Sequence, residues 1–277
     1  MIENNTYIDS IELYEDSSEF ISSLKRKNFD CLIDLQNNQR SWKLGKKLEL
    51  PVYKYKKDRL KRFLFLNFRY KYFNPSKKSV PQKYLDVLRT IGINSTNTSP
   101  EFFLRGENIH NISKPYICLA PGAAHFTKQW PKEKYIDLIK FLKHQWEIVL
   151  LGGPDEVYTA NFIQAECEIK YNYVGKTNFN ETAHIISASE LLICNDSSVM
   201  HLATSLKKKI LVFFGSTVEE FGFFPYNTNY AVLQNESLSC RPCTHIGRAS
   251  CPKKHLNCLN SISAEKAFEE VKKLLEC

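Results

Sequence analysis

Residues 191–217 read LLICNDSSVMHLATSLKKKILVFFGST, and this stretch decides the fold. Two short apolar runs, 191–194 and 210–214, have the length of buried strands. Between them, apolar residues recur at helical spacing, namely Val199, Leu202, Ala203 and Leu206. The stretch therefore predicts a strand, a helix and a second strand, which together form the βαβ unit of a parallel sheet.

The polar turn inside this unit has the composition of an anion-binding site. Asn195, Asp196, Ser197 and Ser198 are all residue types that begin helices well. The turn lies at the carboxyl end of a parallel strand, where α/β sheets bind ligands, and the helix N-terminus attracts negative charge. An ordinary capped turn without a ligand fits these four residues equally well.

The rest of the second half alternates strand and helix patterns, which favours a doubly wound parallel sheet. The predicted strands are 116–120, 147–151, 171–174 and 230–233, and the predicted helices are 131–144, 155–167, 181–189 and 264–276.

The first half has a weaker pattern. Strands are predicted at 7–13 and 29–35, and helices at 20–27 and 82–93. A polar segment over 94–113 lacks periodicity and is predicted to link two domains. We place the domains at 1–108 and 109–277, since a chain of 277 residues favours two modest cores.

Four motifs in this order resemble glycosyltransferase family 9, which includes the ADP-heptose:lipopolysaccharide heptosyltransferases. The first is Asp196-Ser197-Ser198-x-x-His201 with the following Phe213-Phe214-Gly215-Ser216-Thr217; Ser198 stands where the family usually has Gly. The others are the Pro121 to Pro131 turn, Gly152-Gly153-Pro154-x-Glu156, and Asp34-Leu35-Gln36-x-x-x-Arg40-Ser41.

The resemblance implies a GT-B-like α/β fold, with two Rossmann-type domains that face a cleft. The donor would bind the C-terminal domain and the acceptor the N-terminal one. The implied reaction is an inverting, metal-independent transfer of a sugar, such as heptose from ADP-heptose, to lipopolysaccharide core or a related glycan. No cofactor is implied beyond the nucleotide-sugar substrate.

The resemblance also assigns the donor site. Lys128 would contact the pyrophosphate, and Glu156, with Asp155 second, would accept hydrogen bonds from the ribose hydroxyls. The full predicted donor set is Ala123, Ala124, Lys128, Glu156, Asp196, Ser197, Ser198, His201 and Thr217.

The acceptor side is less complete. Gln36 and Arg40 match the family's acceptor loop, but the preceding family loop, whose Asp is thought to be the catalytic base, has no match here. We therefore expect an incomplete N-terminal domain that lacks the family's first βα segment, with Asp34 as a weak candidate for the base. Poor transfer with intact donor binding is the expected result. A catalytically silent nucleotide-sugar-binding protein or a truncated gene product is the alternative function.

The cysteines leave two interpretations open. Cys240-x2-Cys243-x7-Cys251-x6-Cys258 can be a closed, tetrahedral structural zinc site or a cluster of reduced buried thiols. A disulfide framework is disfavoured, because the cysteine count of nine is odd and the chain begins without an export signal.

Composition predicts a cytoplasmic protein with a basic surface. No apolar run reaches membrane-spanning length, and the formal net charge is +8. Basic residues crowd between Lys43 and Lys83 with aromatic residues among them, so contact with an anionic membrane or a phosphorylated glycolipid is predicted. Nucleic acid, which such charge can attract, is not a predicted partner, and a solvated basic face remains the simpler alternative.

Overall fold

The elements below come from a computed structural model, which describes residues 2, 4–68, 78–95, 98–113 and 115–276. The strands are β1 Leu32–Asp34, β2 Val52–Lys54, β3 Tyr116–Ala120, β4 Glu147–Leu150, β5 Tyr171–Asn172, β6 Leu191–Asn195, β7 Ile210–Phe214 and β8 Tyr230–Gln234. The helices are α1 Ser18–Arg26, α2 Gln39–Leu48, α3 Arg59–Phe68, α4 Val80–Arg89, α5 Lys132–Leu142, α6 Val157–Cys167, α7 Phe179–Ala188, α8 Ser198–Ser205, α9 Asn257–Asn260 and α10 Ala264–Glu276.

A parallel sheet with the order β5-β4-β3-β6-β7-β8 forms the centre of the C-terminal half. Its central strands β3, β6 and β7 are buried along their whole length, because helices cover both faces of the sheet. One core lies under α5, α6 and α10, and the other lies under α7 and α8. The predicted α/β class and the parallel sheet are confirmed.

The order of the strands creates a crevice between β3 and β6. From β3 the chain moves to β4 on one side, whereas from β6 it moves to β7 on the other side. The turns that follow β3 and β6 therefore diverge, and such a reversal is where open α/β sheets bind ligands.

The N-terminal half is built on a smaller sheet. β1 and β2 pair in parallel, with Leu32 opposite Val52 and Asp34 opposite Lys54. The helices α1 to α4 surround them, and α3 has no buried residue. Residues 69–77 of the basic aromatic run lie outside the described residues.

The predicted strand at 7–13 is wrong, because these residues form turns and extended segments without strand pairing. Their apolar side chains are exposed, with Tyr7 at 77% and Leu13 at 82% accessibility. Alternation alone therefore does not make a strand when no sheet edge pairs with the segment. The predicted strand 29–35 is also shorter than expected, since only 32–34 pair.

The two halves touch along one side of a cleft. The backbone N–H of Val80 donates to the carbonyl of Gly222 at 3.0 Å, and the rings of Phe65 and Phe221 meet edge to face. Residues 98–113 carry no helix or strand, as expected of a linker. The domain boundary at residue 108 stays a prediction. Within the described residues, no helix combines the length and apolarity needed to cross a membrane.

Candidate active site in the cleft

Four turns at the carboxyl ends of β3, β4, β6 and β7 form one side of the cleft. Asn195, which is fully buried, joins two of them: its amide donates to the carbonyls of Pro121 and Gly122 at 2.7 and 3.2 Å. Its side-chain oxygen accepts a hydrogen bond from the backbone N–H of Trp130 at 3.0 Å. Trp130 is 2% exposed and its ring stacks on Phe213, so this side chain packs in the core below the cavity.

These turns enclose a cavity of about 590 Å³, which we call the strand-end cavity. Pockets that bind small molecules commonly have volumes of roughly 300–1,000 Å³. All nine residues of the predicted donor set line it, namely Ala123, Ala124, Lys128, Glu156, Asp196, Ser197, Ser198, His201 and Thr217. Residues from four separate turns therefore converge on one space, while their roles toward a ligand stay predictions.

An ion pair between Lys128 and Asp196 crosses the floor of this cavity. Lys128 Nζ lies 2.8 Å from Asp196 Oδ2, with side-chain exposures of 14% and 6%. The Thr217 hydroxyl donates to the same carboxylate oxygen at 2.8 Å. Asp196 thus fixes the position of the ammonium group, and a phosphate that enters the cavity would meet Lys128 already in place.

The start of α8 presents donors to the same space. Ser197 is the N-cap of α8, yet its hydroxyl makes no capping bond and is buried without a hydrogen-bond partner. A buried polar group without a partner is costly, so in native proteins most such groups are paired with protein, water or an ion. The free N–H groups of the first helical turn point in the same direction as the helix dipole and favour an anion.

His201, one turn into α8, faces the cavity in its neutral form. Desolvation lowers the pKa of the imidazole, although the residue stays partly open to solvent; Lys128 acts in the same direction and Asp196 opposes it. A neutral ring offers one N–H donor and one acceptor nitrogen to a ligand in the cavity.

Glu156 reaches the cavity from the turn after β4. Its carboxylate accepts from the backbone N–H of Gly153 at 2.7 Å, and a Cβ on Gly122 or Gly152 would displace it. Desolvation raises the pKa of this carboxyl, with Asp155 adding to the effect, while the Gly153 bond opposes it. A desolvated carboxylate with free lone pairs is a strong acceptor for hydroxyl groups.

A second space, the basic cavity, lies between the two halves and has a volume of about 570 Å³. Lys57, Arg59 and Arg62 from the N-terminal half line it, together with Gln36. Phe223, His245 and Ile246 line both this cavity and the strand-end cavity, so the two spaces adjoin at these residues. Arg40 lines neither cavity, and its guanidinium lies 5.1 Å from the Tyr14 ring.

A family model for glycosyltransferase family 9 (heptosyltransferase) matches residues 18–254. The chain belongs to this family. Lipooligosaccharide heptosyltransferase 2 of Campylobacter jejuni serotype O:6 is 29% identical over 212 residues, which cover 74% of this chain and 63% of the relative. The chain thus spans less than two thirds of the length of this curated relative.

Solved structures agree on the fold of this family 9 chain. The ADP-heptose lipopolysaccharide heptosyltransferase II of Escherichia coli superposes with a TM-score of 0.68 at 20% identity and covers 93% of this chain and 80% of its own. A family 9 glycosyl transferase of Veillonella parvula gives a TM-score of 0.70 at 21% identity. The superposition covers 93% of this chain and 78% of that structure's chain. The fold is accordingly GT-B-like, with Rossmann-like domains.

Asp34 of the family 9 chain holds a turn together and lines neither cavity. Its Oδ1 accepts the backbone N–H groups of Gln36 and Asn37 at 3.0 and 2.6 Å, and its Oδ2 accepts the Ser41 hydroxyl at 2.7 Å. With 4% exposure and three hydrogen bonds, this carboxylate shapes the start of α2. Its position gives no support to the weak prediction that it acts as the base.

The cysteine cluster lies beside the strand-end cavity, since His245 and Ile246 line both that cavity and the one that the cysteines line. Cys240, Cys243, Cys251 and Cys258 line a third cavity of about 530 Å³, and the eight described cysteines are free thiols. In the described part of the chain, no group of three or more His, Cys, Asp or Glu side chains is arranged to hold a metal ion. Both interpretations of the cluster, a zinc site and reduced thiols, stay predictions.

Sequence reasoning missed the residues where the two cavities adjoin. Phe223, His245 and Ile246 lie in loops without periodicity, so no sequence pattern marks them. Arg59 and Arg62 belong to the basic run, whose composition predicted an anionic partner but not that these side chains face the cleft.

Proposed function

We propose that this chain is a glycosyltransferase that moves heptose from ADP-heptose to lipopolysaccharide core or a related glycan, with inversion and without a metal ion. The observation that carries the proposal is the convergence of all nine donor residues on one cavity, which adjoins a basic cavity. Membership of a heptosyltransferase family supports the sugar.

The residues present can supply the charge that the leaving group needs. As the bond between the sugar and the diphosphate breaks, negative charge develops on the departing phosphate. Lys128 and the N–H groups at the start of α8 would stabilise it, in a position that Asp196 has fixed beforehand. Direct displacement by an acceptor hydroxyl on the opposite face inverts the anomeric centre.

The acceptor that suits the basic cavity is anionic. Three basic side chains, Lys57, Arg59 and Arg62, line one side of it. Guanidinium groups bind phosphate and carboxylate in bidentate geometry, so a glycan that carries either group would suit this cavity. Charge complementarity therefore supports a core glycan as the acceptor.

Helix α3 supports peripheral contact with an anionic membrane at its cytoplasmic face. Leu60, Phe63 and Phe68 are 70%, 57% and 60% exposed, and basic residues lie among them on the same helix. Exposed apolar residues beside Lys and Arg are typical of helices that lie at a lipid surface. Such contact would hold the cleft near a lipid-anchored acceptor.

Titration calorimetry with ADP in the presence of a chelator tests the donor site. We expect binding without divalent metal, and a loss of roughly 1.5–3 kcal/mol in Lys128→Ala, because a charge-assisted phosphate contact is removed. Lys143→Ala, an exposed lysine at the end of α5, is the matched control. Unchanged affinity in Lys128→Ala would contradict the role of Lys128.

The same experiment needs a stability control, because Lys128→Ala leaves the buried Asp196 without its cation. Thermal unfolding without ligand measures that effect separately. Loss of affinity in protein that is still folded at the assay temperature supports the contact with phosphate.

Donor binding without transfer is the second candidate function. The position of Asp34 favours this function, because its carboxylate already accepts three hydrogen bonds within its own turn. Release of ADP from ADP-heptose in the presence of heptose-deficient lipopolysaccharide separates the two functions. ADP binding combined with absence of this release would favour the silent protein.

A further inference from the structure

Thr127, the residue before Lys128, lies where three segments of the chain meet. It is 1% exposed and belongs to a single turn of 3₁₀ helix, Phe126–Lys128. The other two segments are the turn 215–217, which follows β7, and the loop over 243–248. Hydrogen bonds join Thr127 to both of them, so this residue connects the segment that carries Lys128 to two others.

The turn after β7 is bonded to Thr127 by both backbone and side chain. The Thr127 carbonyl accepts the backbone N–H of Ser216 at 3.1 Å, and the two hydroxyl oxygens lie 2.9 Å apart. Ser216 is fully buried, so water does not compete for this pair of hydroxyls. A Cβ on Gly215 would overlap the Thr127 carbonyl oxygen, and the close approach of the two segments therefore requires glycine there.

The loop over 243–248 is bonded to the same residue. The Arg248 backbone N–H donates to the Thr127 hydroxyl at 2.9 Å, and the Thr127 backbone N–H donates to the Arg248 carbonyl at 3.2 Å. The Thr127 hydroxyl can give its own proton to the Ser216 oxygen or to the Arg248 carbonyl, which lies at 3.3 Å. One hydroxyl thus serves both neighbouring segments, and a methyl group in its place could neither donate nor accept.

These bonds complete a closed ring of contacts at the floor of the strand-end cavity. Lys128 follows Thr127 in the chain, and its ammonium pairs with Asp196. The Asp196 carboxylate accepts the Thr217 hydroxyl, and Thr217 follows Ser216, which is bonded to Thr127. Each of these five residues is therefore joined to two others by a peptide bond, an ion pair or a hydrogen bond. Loss of one link opens the ring and leaves the floor less firmly held.

We propose that Thr127 is a positioning residue of the donor site, and this inference rests on the proposed function. Its hydroxyl holds the segment of Lys128 against the turn after β7, so the ammonium lies at a fixed place relative to the start of α8 before the donor arrives. The ligand class is a nucleoside diphosphate, whose two phosphates engage Lys128 and the start of α8 together. A site that is ordered in advance loses less conformational freedom on binding, and its affinity is higher for that reason.

The ion pair with Asp196 does not hold Lys128 in place once a ligand has bound. A phosphate that engages the ammonium weakens its attraction to Asp196, so the position of Lys128 then depends on its backbone. That backbone is fastened at two points: Thr127 is bonded to the turn after β7, and the Trp130 N–H donates to Asn195, at the end of β6, at 3.0 Å. Removal of the Thr127 hydroxyl weakens the first of these two points and leaves the second intact.

The test measures the Kd of ADP by calorimetry in variants of the full chain. Thr127→Val keeps the shape of the side chain without its hydroxyl, whereas Thr127→Ser keeps the hydroxyl. We expect the Kd to rise roughly 3–10-fold in Thr127→Val, the factor that one hydrogen bond contributes, and to stay within about two-fold in Thr127→Ser. Thr204→Val is the matched control, because this threonine at the far end of α8 is also buried and its hydroxyl donates to the Met200 carbonyl at 2.8 Å. Both valine variants should lower the melting temperature, but only Thr127→Val should weaken ADP binding.

A double-mutant cycle with Lys128→Ala distinguishes positioning of Lys128 from a general loosening of the fold. If Thr127 acts through Lys128, adding Thr127→Val to Lys128→Ala should change the Kd less than about two-fold. If Thr127→Val does not fold, Ser216→Ala, which removes the partner hydroxyl, takes its place in the same measurements. Unchanged ADP affinity in the folded variant, or an equal loss with and without Lys128, would overturn the proposal. Failure of the unaltered chain to bind ADP would instead contradict the proposed function itself.

Discussion

At the residue scale, Glu156 is held in a position that costs stability. Its pKa is raised by desolvation, so the folded state binds its proton more tightly than the unfolded chain does. Stability from this group is present below its ordinary pKa of about 4.5 and is lost as the pH rises through the higher folded value. We expect Glu156→Gln to raise the melting temperature at pH 7 and to weaken ADP binding.

The melting temperatures of Glu156→Gln and the unaltered chain, measured from pH 4 to pH 8, check this sign. The difference should shrink toward pH 4, where Glu156 is mostly protonated in both states. Glu166→Gln, an exposed residue of α6, is the matched control. A variant that is less stable at pH 7 would show that the carboxylate is stabilising.

Cys251, a half-buried residue of the cysteine cluster, is expected to react faster with alkylating reagents than the buried Cys118. Partial burial acts to raise its pKa, but backbone N–H groups of Leu256, Lys253, His255 and Lys254 outweigh this and lower it. By contrast, burial raises the pKa of Cys118 to about 12. Mass spectrometry after brief iodoacetamide treatment of the folded protein should find Cys251 labelled and Cys118 unlabelled; equal labelling of both would contradict this assignment.

The residues of the strand-end cavity could be found from sequence because they follow strands directly. Lys128, Glu156 and Asp196 each belong to a motif at a fixed distance from an apolar run, and parallel strands bring those turns to one edge. His245 belongs to no motif at a fixed distance from a strand. Its place depends on how Thr127 and Gly247 fasten a loop of irregular structure, which no periodicity encodes.

At the scale of elements, helix α3 can be tested as a lipid-binding surface. Vesicles that contain phosphatidylglycerol should bind the chain, and the affinity should fall as salt rises, because exposed charges are screened. Lys61→Gln should weaken binding about five-fold, since one basic residue near an anionic surface contributes about 1 kcal/mol. Leu60→Ser should also weaken it by removing exposed apolar surface.

Vesicle sedimentation or surface plasmon resonance gives these affinities. Lys143→Gln, on the C-terminal half, is the control that keeps the same net charge as Lys61→Gln. Equal binding to neutral and phosphatidylglycerol vesicles would favour a solvated basic face instead.

The elements themselves were predicted with very different success in the two halves. β3, β7 and α10 match their predicted bounds because each is a strongly apolar or amphipathic run between clear breaks. At 7–13 the same reasoning failed, since a strand needs a neighbour as well as a pattern. β1 keeps only three paired residues because its one described partner, β2, is equally short.

At the scale of the whole molecule, most of the buried core belongs to the C-terminal half. We therefore expect the N-terminal half to unfold at lower urea concentration, and proteases to cut first within 98–113, which has no regular structure. ADP at 100 times its Kd should stabilise the C-terminal half by about 2.7 kcal/mol.

Urea unfolding followed by limited proteolysis, with and without ADP, measures both effects. Only the unfolding transition at the higher urea concentration should shift when ADP is added. In limited proteolysis, a stable fragment that begins near residue 115 should accumulate. A single transition that moves as a whole would show that the contacts across the cleft make the two halves one cooperative unit.

The ion pair of Lys128 and Asp196 makes nucleotide capture an exchange of counter-ions inside the protein. The Lys128 ammonium already pairs with the Asp196 carboxylate. An incoming phosphate therefore gains only the difference between its own attraction to the ammonium and that of the carboxylate. A single phosphate competes poorly under this condition, whereas a diphosphate can engage Lys128 and the start of α8 at once. Inorganic phosphate should therefore be a weak competitor, and the spent nucleotide can leave without exposing an unbalanced cation, because Asp196 neutralises Lys128 again.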